Sequence, residues 1–208
     1  MPELYTAAVA DVLDALGLPS QTLPPEIGPL RPGMRLEGTV FAIEGRPHPG
    51  HDYEPSIRKI LEMLGDVPAG HVPVYAANDY GCAQFGELSA TALAAKGCPG
   101  VVLDGGTRDV EFIERQGFPV FCRHTTPLDS VPRWEAVAWR HEVEIGGVAV
   151  ATGDWVLGDA DGVVVVPATL RDDVLARARE VRGTENQVRE AVRGGMTPLE
   201  AYDRFGKF

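Results

Sequence analysis

The stretch from Phe85 to Gly117 limits the fold more than any other part of the chain. LSATALAAKG is a run of small, helix-compatible residues that stops at Gly97, GVVLDGG is a continuous apolar run closed by glycines, and RDVEFIERQG repeats apolar positions at helical spacing up to Gly117. An apolar strand between two helices has to sit in a sheet whose faces are covered, so the chain is committed to a mixed α/β architecture.

The reading extends outward from there. Thr6 to Leu16 is predicted as a helix, with Thr6 as its cap and Gly17 as its stop. QTLPPEIGPLRPG is too rich in proline for helix, and MRLEGTVFAIEG alternates as a half-buried strand does, beginning near Met34. Arg46 to Tyr53 reads as a loop, Glu54 to Leu64 as an amphipathic helix and HVPVYAAN as a buried strand. Further strands are expected at Pro119–Phe121, Ala136–Trp139, Val143–Ile145 and Val148–Ala151. GDWVLGDADGVVVVP reads as two strands joined by a turn, and Thr169–Arg193 as a charged helix followed by a short one. No linker-like shift in composition divides the 208 residues, so 1–208 is expected to be a single domain with a helical segment over about 169–208.

Thirty acidic against nineteen basic residues leave a net charge of −11, the wrong sign for a protein that neutralises phosphates. No apolar run approaches the ~20 residues of a membrane span. MPELYTAAVADVLDAL lacks the basic start and apolar core of a secretion signal, so a cytoplasmic protein with no nucleic-acid or membrane partner is expected. Cys82, Cys98 and Cys122 form no CxxC pair and are read as reduced, packed thiols.

The segment LDGGTRD, Leu103 to Asp109, follows a buried strand, where α/β sheets carry their ligands. An arginine fork at Arg108 suits a substrate carboxylate, and Asp109 suits a hard divalent cation that keeps most of its water. On local spacing alone the structural reading is favoured: Asp109 caps the helix it starts and pairs with Arg108. Asp104 either orients Arg108 or closes the turn. FGE, Phe85 to Glu87, precedes a second helix start, whose free N–H groups at Gly86, Glu87 and Leu88 can receive an anion, although an acid at Glu87 is also explained by the helix dipole. Asp154, Asp159 and Asp161 lack the spacing of a calcium loop and read as turn residues. His48 and His51 read as exposed, His124 as a structural residue that could reach the pocket with Arg123, and Trp134, Trp139 and Trp155 as packing or subunit contacts.

Gly86-Glu87, twenty residues, then Arg108-Asp109 resembles the G-D/E-x20-R-D pattern of the RraA-like family, which includes the 4-hydroxy-4-methyl-2-oxoglutarate (HMG) aldolases. The resemblance runs on through TAAVADVLDALG, GFPVF, GGVAVATGDWVLGDADGVVVVP and GMTPLEAYDRFG. The chain departs from the pattern at Glu87, where aspartate is more frequent, at Thr152, where proline is usual, and in HTTPLDSVPRWEAVAW. The resemblance implies an αββα sandwich of the type shared with phosphohistidine swivelling domains, assembled as a trimer or dimer of trimers with sites between subunits. It implies that Arg108 binds substrate, Asp109 holds Mg²⁺ or Mn²⁺, and the amides of Gly86 to Leu88 receive an oxo-acid carboxylate. Glu87 would act through a water on the metal, and Glu180 or Glu185 would reach a neighbouring site.

The activity so implied is metal-dependent cleavage of HMG or 4-carboxy-4-hydroxy-2-oxoadipate to pyruvate through an enolate, with oxaloacetate decarboxylation at the same site. No lysine lies in the cluster, which argues against a Schiff base. The alternative is a binding regulator, since members of the family inhibit a ribonuclease by contact and an acidic surface suits a basic partner.

Overall fold

The computed structural model describes residues 4–48 and 52–208. In chain order these form α1 (Thr6–Ala15), β1 (Gly28–Pro29), β2 (Leu36–Pro47), α2 (Tyr53–Asp66), β3 (His71–Ala76), β4 (Ala83–Phe85), α3 (Glu87–Ala95), β5 (Val101–Thr107) and α4 (Val110–Gln116). They continue with β6 (Val120–Thr125), β7 (Trp134–Trp139), β8 (Glu142–Ile145), β9 (Val148–Ala151), β10 (Trp155–Asp159), β11 (Gly162–Val166), α5 (Arg171–Arg193) and α6 (Pro198–Phe205).

The expected helix–strand–helix unit is α3, β5 and α4. Arg46 and Pro47 belong to β2 rather than to a loop, and residues 49–51, His51 among them, lie outside the described residues. The short strands β1 and β4 have no counterpart in the sequence reading.

Strands β2, β3, β5 and β6 run parallel, α2 covers the β2–β3 crossover, and α3 and α4 flank β5. The sheet order is β1-β6-β5-β3-β2-β10-β11, with β4 beside β5 and β7 beside β2. Residues 21–23 bond to β11 and β1 lies against β10 and β11, so the sheet nearly closes on itself.

Alternation along these strands then separates three apolar layers. Val40, Ala42, Val72, Val74, Val102, Phe121, Val156, Val163 and Val165 face inward and meet the β8–β9 hairpin through Val143, Ile145, Val148 and Val150. Their neighbours Phe41, Ile43, Tyr75, Val101, Leu103 and Val120 face α2, α3 and α4. Trp155, Leu157, Val164 and Val166 face α1 and α5. Helix, strand, strand, helix is therefore the layer order, and the expected αββα class is the observed one.

Several single residues settle expectations. Thr6 is not the cap of α1: it is the first helical residue, and the buried Asp159 carboxylate accepts its N–H at 2.9 Å and its hydroxyl at 2.7 Å from across the chain. Asp154 accepts the N–H groups of Ala151 at 2.8 Å and Ala168 at 2.9 Å, so this acid and Asp159 are structural. Trp134 and Trp155 are core residues, and the Trp134 indole N–H donates to the Ala77 carbonyl at 2.8 Å. All three cysteines are free and buried. Among the described residues no helix is long and apolar enough to cross a membrane.

Candidate functional site

Register brings the two motifs together. β4 and β5 are parallel neighbours with Phe85 opposite Thr107, so the residues that follow each strand, Gly86 and Arg108, emerge side by side. The Arg108 N–H donates back to the Phe85 carbonyl at 3.0 Å. The twenty residues between the motifs are the α3 crossover and the strand that returns from it. On the other side of β4, the Ala83 N–H donates to the Leu128 carbonyl at 2.8 Å, which brings Asp129 to the same edge.

Gly86 caps α3 in an extended conformation, with φ −152° and ψ −173°. A Cβ there would stand 2.6 Å from Asp109 Oδ2 and 3.3 Å from Arg108 Cγ, so only a bare Cα lets the carboxylate pass. That same Oδ2 accepts the Glu87 N–H at 3.1 Å. Asp109 therefore does sit ahead of α4, but its side chain makes no capping bond to it and instead serves the N-terminus of α3. Its backbone is left-handed, φ 60° and ψ 35°, which aspartate tolerates better than most residues and which turns the side chain toward α3.

Arg108 lies between two acids, with Nε 3.7 Å from Asp109 Oδ2 and an Nη 3.5 Å from Asp129 Oδ2. Both contacts are longer than a hydrogen bond, so the guanidinium keeps donors for a ligand. The side chains of Arg108, Asp109 and Asp129 are 36%, 41% and 37% exposed, so the pairs add little to stability. All three line a cavity of about 420 Å³ together with Gly86, Leu88 and Ser89. The Leu88 N–H, at the second helical position, has no acceptor inside α3, as is usual for the first turn of a helix, where free N–H groups suit an anion.

Other candidates are placed elsewhere. The Glu87 carboxylate accepts from Thr91 and Gln116, both at 2.8 Å, and is not part of the cavity wall; of its expected anion-binding groups, the N–H is already taken by Asp109. Asp104 does not orient Arg108: it is buried and bound to Arg123, which also lies 3.3 Å from Glu26 and over the Tyr80 ring. His124 does not line the cavity, and its Nε2 is buried without a hydrogen bond. Glu185 is held by the Tyr5 hydroxyl and lies 3.7 Å from Lys207; burial, then the Glu185 bond, push the Tyr5 hydroxyl up to about 12. Among the described residues the Glu180 side chain has no such partner; only its carbonyl accepts, from the Thr184 hydroxyl at 3.3 Å. Asp129 was missed by the sequence reading, and it lies in the segment that matched no pattern.

The donor set suits a hard cation. Among the described residues no group of three or more His, Cys, Asp and Glu converges, so no closed protein cage exists. Asp109 offers one half-exposed carboxylate on the cavity with Oδ1 uncommitted, the arrangement that Mg²⁺ or Mn²⁺ uses when water and ligand complete the shell.

The RraA-like family model, described as Aldolase/RraA, matches residues 6–165. Protein DlpA of Legionella pneumophila is 27% identical over 96% of this chain, which spans only 32% of that relative's length. A Halalkalibacterium halodurans protein named "Putative 4-hydroxy-4-methyl-2-oxoglutarate aldolase" is 25% identical, with 95% of this chain and 89% of the relative covered. Among solved structures, a protein of Pseudomonas syringae pv. tomato superposes with a TM-score of 0.84 at 30% identity, covering 95% of this chain and 92% of the other. RraAS2 of Streptomyces coelicolor, described as an unusual member of the RNase ES inhibitor RraA family, gives 0.81 at 26% identity over 90% and 93%. With the family pattern matched over residues 6–165, and Gly86, Arg108 and Asp109 of its motif on one cavity, this protein belongs to the RraA-like family.

Proposed function

We propose that this chain is a divalent-metal-dependent lyase that cleaves 4-hydroxy-2-oxo acids to pyruvate, HMG and 4-carboxy-4-hydroxy-2-oxoadipate being the two the resemblance names, and that it decarboxylates oxaloacetate through the same enolate. The observation that carries this reading is the bare Gly86 Cα beneath the Asp109 carboxylate, which aligns Arg108, Asp109 and the start of α3 on one cavity.

Arg108 and the Leu88 N–H bind the oxo-acid end of the substrate, and Asp109 would hold Mg²⁺ or Mn²⁺. A cation bound there supplies Lewis acidity to the keto oxygen. In cleavage the C4 hydroxyl loses its proton, the C3–C4 bond breaks, and its electron pair passes to C3 as the enolate of pyruvate, while C4 becomes a carbonyl. Arg108 offsets the negative charge that develops on the enolate oxygen. Asp129, on the cavity wall, steers the water that takes the hydroxyl proton and returns it to C3. Glu87 serves through its N–H, which fixes Asp109, and its carboxylate steadies α3 through Thr91 and Gln116. The assembly is proposed as a trimer or dimer of trimers with Glu180, rather than the committed Glu185, facing a neighbour's cavity.

Pyruvate release from HMG and oxaloacetate, measured with Mg²⁺ or Mn²⁺, with chelator, and in Arg108→Ala and Asp109→Ala, tests the reading. Turnover lost with chelator and in both variants supports it, and no turnover by folded protein on either compound overturns it. A second reading, contact with a ribonuclease, is favoured by the Streptomyces neighbour and the net charge of −11. Binding of such a partner that survives Asp109→Ala would favour it.

A further inference from the structure

The strand pairing that brings Gly86 beside Arg108 is not regular. Ala83 of β4 stands opposite Gly106 of β5 and Phe85 opposite Thr107, so two steps on β4 answer one on β5 and Gln84 is a bulged residue between them. Were the ladder regular from Ala83 onward, Phe85 would face Arg108 and Gly86 would arrive one residue late, a slip of about 3.3 Å. The bulged register is held from β5, where the Arg108 N–H and the Thr107 hydroxyl both donate to the Phe85 carbonyl, at 3.0 Å and 3.1 Å.

Gln84 is buried, and its carboxamide is bonded at both ends. Oε1 accepts the Gly106 N–H at 2.8 Å, while Nε2 donates to the Asp79 carboxylate at 3.1 Å and to the Asp79 carbonyl at 3.3 Å. The partners fix which end is which, since a carboxylate only accepts and an N–H only donates. Asp79 is anchored in turn by the Gly81 N–H at 3.1 Å and the Cys82 thiol at 3.0 Å. β5 leaves room for the amide: a Cβ at Gly105 would overlap Gln84 Oε1 and stand 2.9 Å from Ala77 Cβ. The bulged residue thus answers an amide of the neighbouring strand with its side chain and ties that strand to the turn ahead of β4. Every one of these contacts is made within one chain, so none depends on how subunits assemble.

We infer that Gln84 is a positioning residue for the proposed reaction: held by Asp79, its carboxamide pins the bulge that sets Phe85 opposite Thr107 and so lays Gly86 beside Arg108 and Asp109. The inference rests on the enolate-forming reading above, and it acts through Arg108 and Asp109 rather than through any contact with substrate.

The test follows exchange of pyruvate methyl protons into D₂O by the full chain with Mg²⁺, per folded molecule. Gln84→Met keeps the size and removes both sets of bonds, and should lose about tenfold or more, since a misplacement near 1 Å already costs about 10²-fold. Gln84→Glu sets two carboxylates against each other and should lose as much. Gln84→Glu combined with Asp79→Asn reverses donor and acceptor with one carboxylate still in the pair, and should return activity to within about fivefold of wild type. Thr6→Val, which removes another buried hydrogen bond far along the chain, is the control for lost stability alone and should stay within about twofold. Amide hydrogen exchange reads the register directly: the Arg108 N–H should lose protection in Gln84→Met and keep it in Thr6→Val. Wild-type exchange of pyruvate with an unaffected Gln84→Met, an unchanged Arg108 N–H, an equal loss in Thr6→Val or no recovery in the paired variant overturns this inference alone. No exchange by the folded wild type overturns the enolate reading and the inference with it.

Discussion

Gly86→Ala separates the alignment of the site from the stability of the fold. The backbone at Gly86 is extended and open to any residue, so alanine brings no torsional strain. Its methyl would stand 2.6 Å from Asp109 Oδ2, and since ordinary contact begins at 3.4 Å the carboxylate has to retreat by about 0.8 Å. A retreat of that size stretches or breaks the 3.1 Å bond from the Glu87 N–H. Because Asp109 is a half-exposed end group that can swing, the loss is about 1 kcal/mol, or roughly 2–4 °C in Tm for a chain of this length. Catalysis is far less tolerant: a displacement near 1 Å of a positioning group costs about 10²-fold. Oxaloacetate decarboxylation at saturating Mg²⁺, with a thermal melt on the same sample, reads both quantities. Gly183→Ala is the control, since a Cβ there meets nothing in α5 and should raise stability by roughly 0.5–1 kcal/mol without touching the cavity. If Gly86→Ala keeps a third or more of the wild-type kcat, the close approach of Gly86 to Asp109 does not matter to the chemistry and the proposed alignment is wrong.

Asp129→Asn removes the acid 3.5 Å from Arg108; because the pair is more than a third exposed, Tm should hold within about 2 °C. Activity should nonetheless fall about a hundredfold, the low end of a lost acid–base contribution, and an unchanged pH–rate profile would remove Asp129 from the proton path. Lys96→Met strips three carbonyls at the end of α2 of their donor and should cost about 1–2 kcal/mol in chemical denaturation, whereas a loss under 0.3 kcal/mol would show that water replaces the ammonium freely. Burial pushes the Cys82 thiol up to about 12 and the Cys122 thiol up to about 11. The folded protein thus holds protons that the unfolded chain releases near pH ~8.5. Stability should be full below that value and decline as pH rises through 11 to 12, with Cys82→Ala flattening the slope, and the native thiols should react with disulfide reagents only on unfolding.

What could be read from the sequence depended on the range of the interaction that fixes each element. The α3–β5–α4 unit was legible because apolar spacing is a local property; β2 showed itself by alternation, β3, β10 and β11 as short apolar runs, and it is the pleat of the strand that sorts Val40 from Phe41 and Val164 from Val165 into different layers. β1 and β4, two and three residues long, hold too few positions to show a period. The cap of α1 was misread for a similar reason. A threonine beside an apolar stripe is a good local cap, but the acceptor that serves this helix is Asp159, which only the closed sheet brings near.

The site divides along the same line. Arg108 and Asp109 were legible as chemical types after a buried strand, but their meeting with Gly86 depends on Phe85 lying opposite Thr107, a register that no spacing of residues announces. Asp129 enters through the isolated bridge to Ala83 and carried no signal at all. Asp109 shows why the local argument was bound to mislead. An aspartate ahead of a helix is expected to cap it, and a right-handed or extended backbone would have let it do so. Here the left-handed backbone, a conformation that costs a non-glycine residue about 1 kcal/mol or more, turns the carboxylate away from α4 and over Gly86. The exposed contact to Arg108 is worth too little to offset that cost, and the single bond from Glu87 barely does. Stability alone therefore gives no reason for this geometry, whereas a carboxylate held beside one guanidinium at the mouth of a cavity is what the proposed enolate chemistry requires, and it is at such a residue that local preference should be expected to fail.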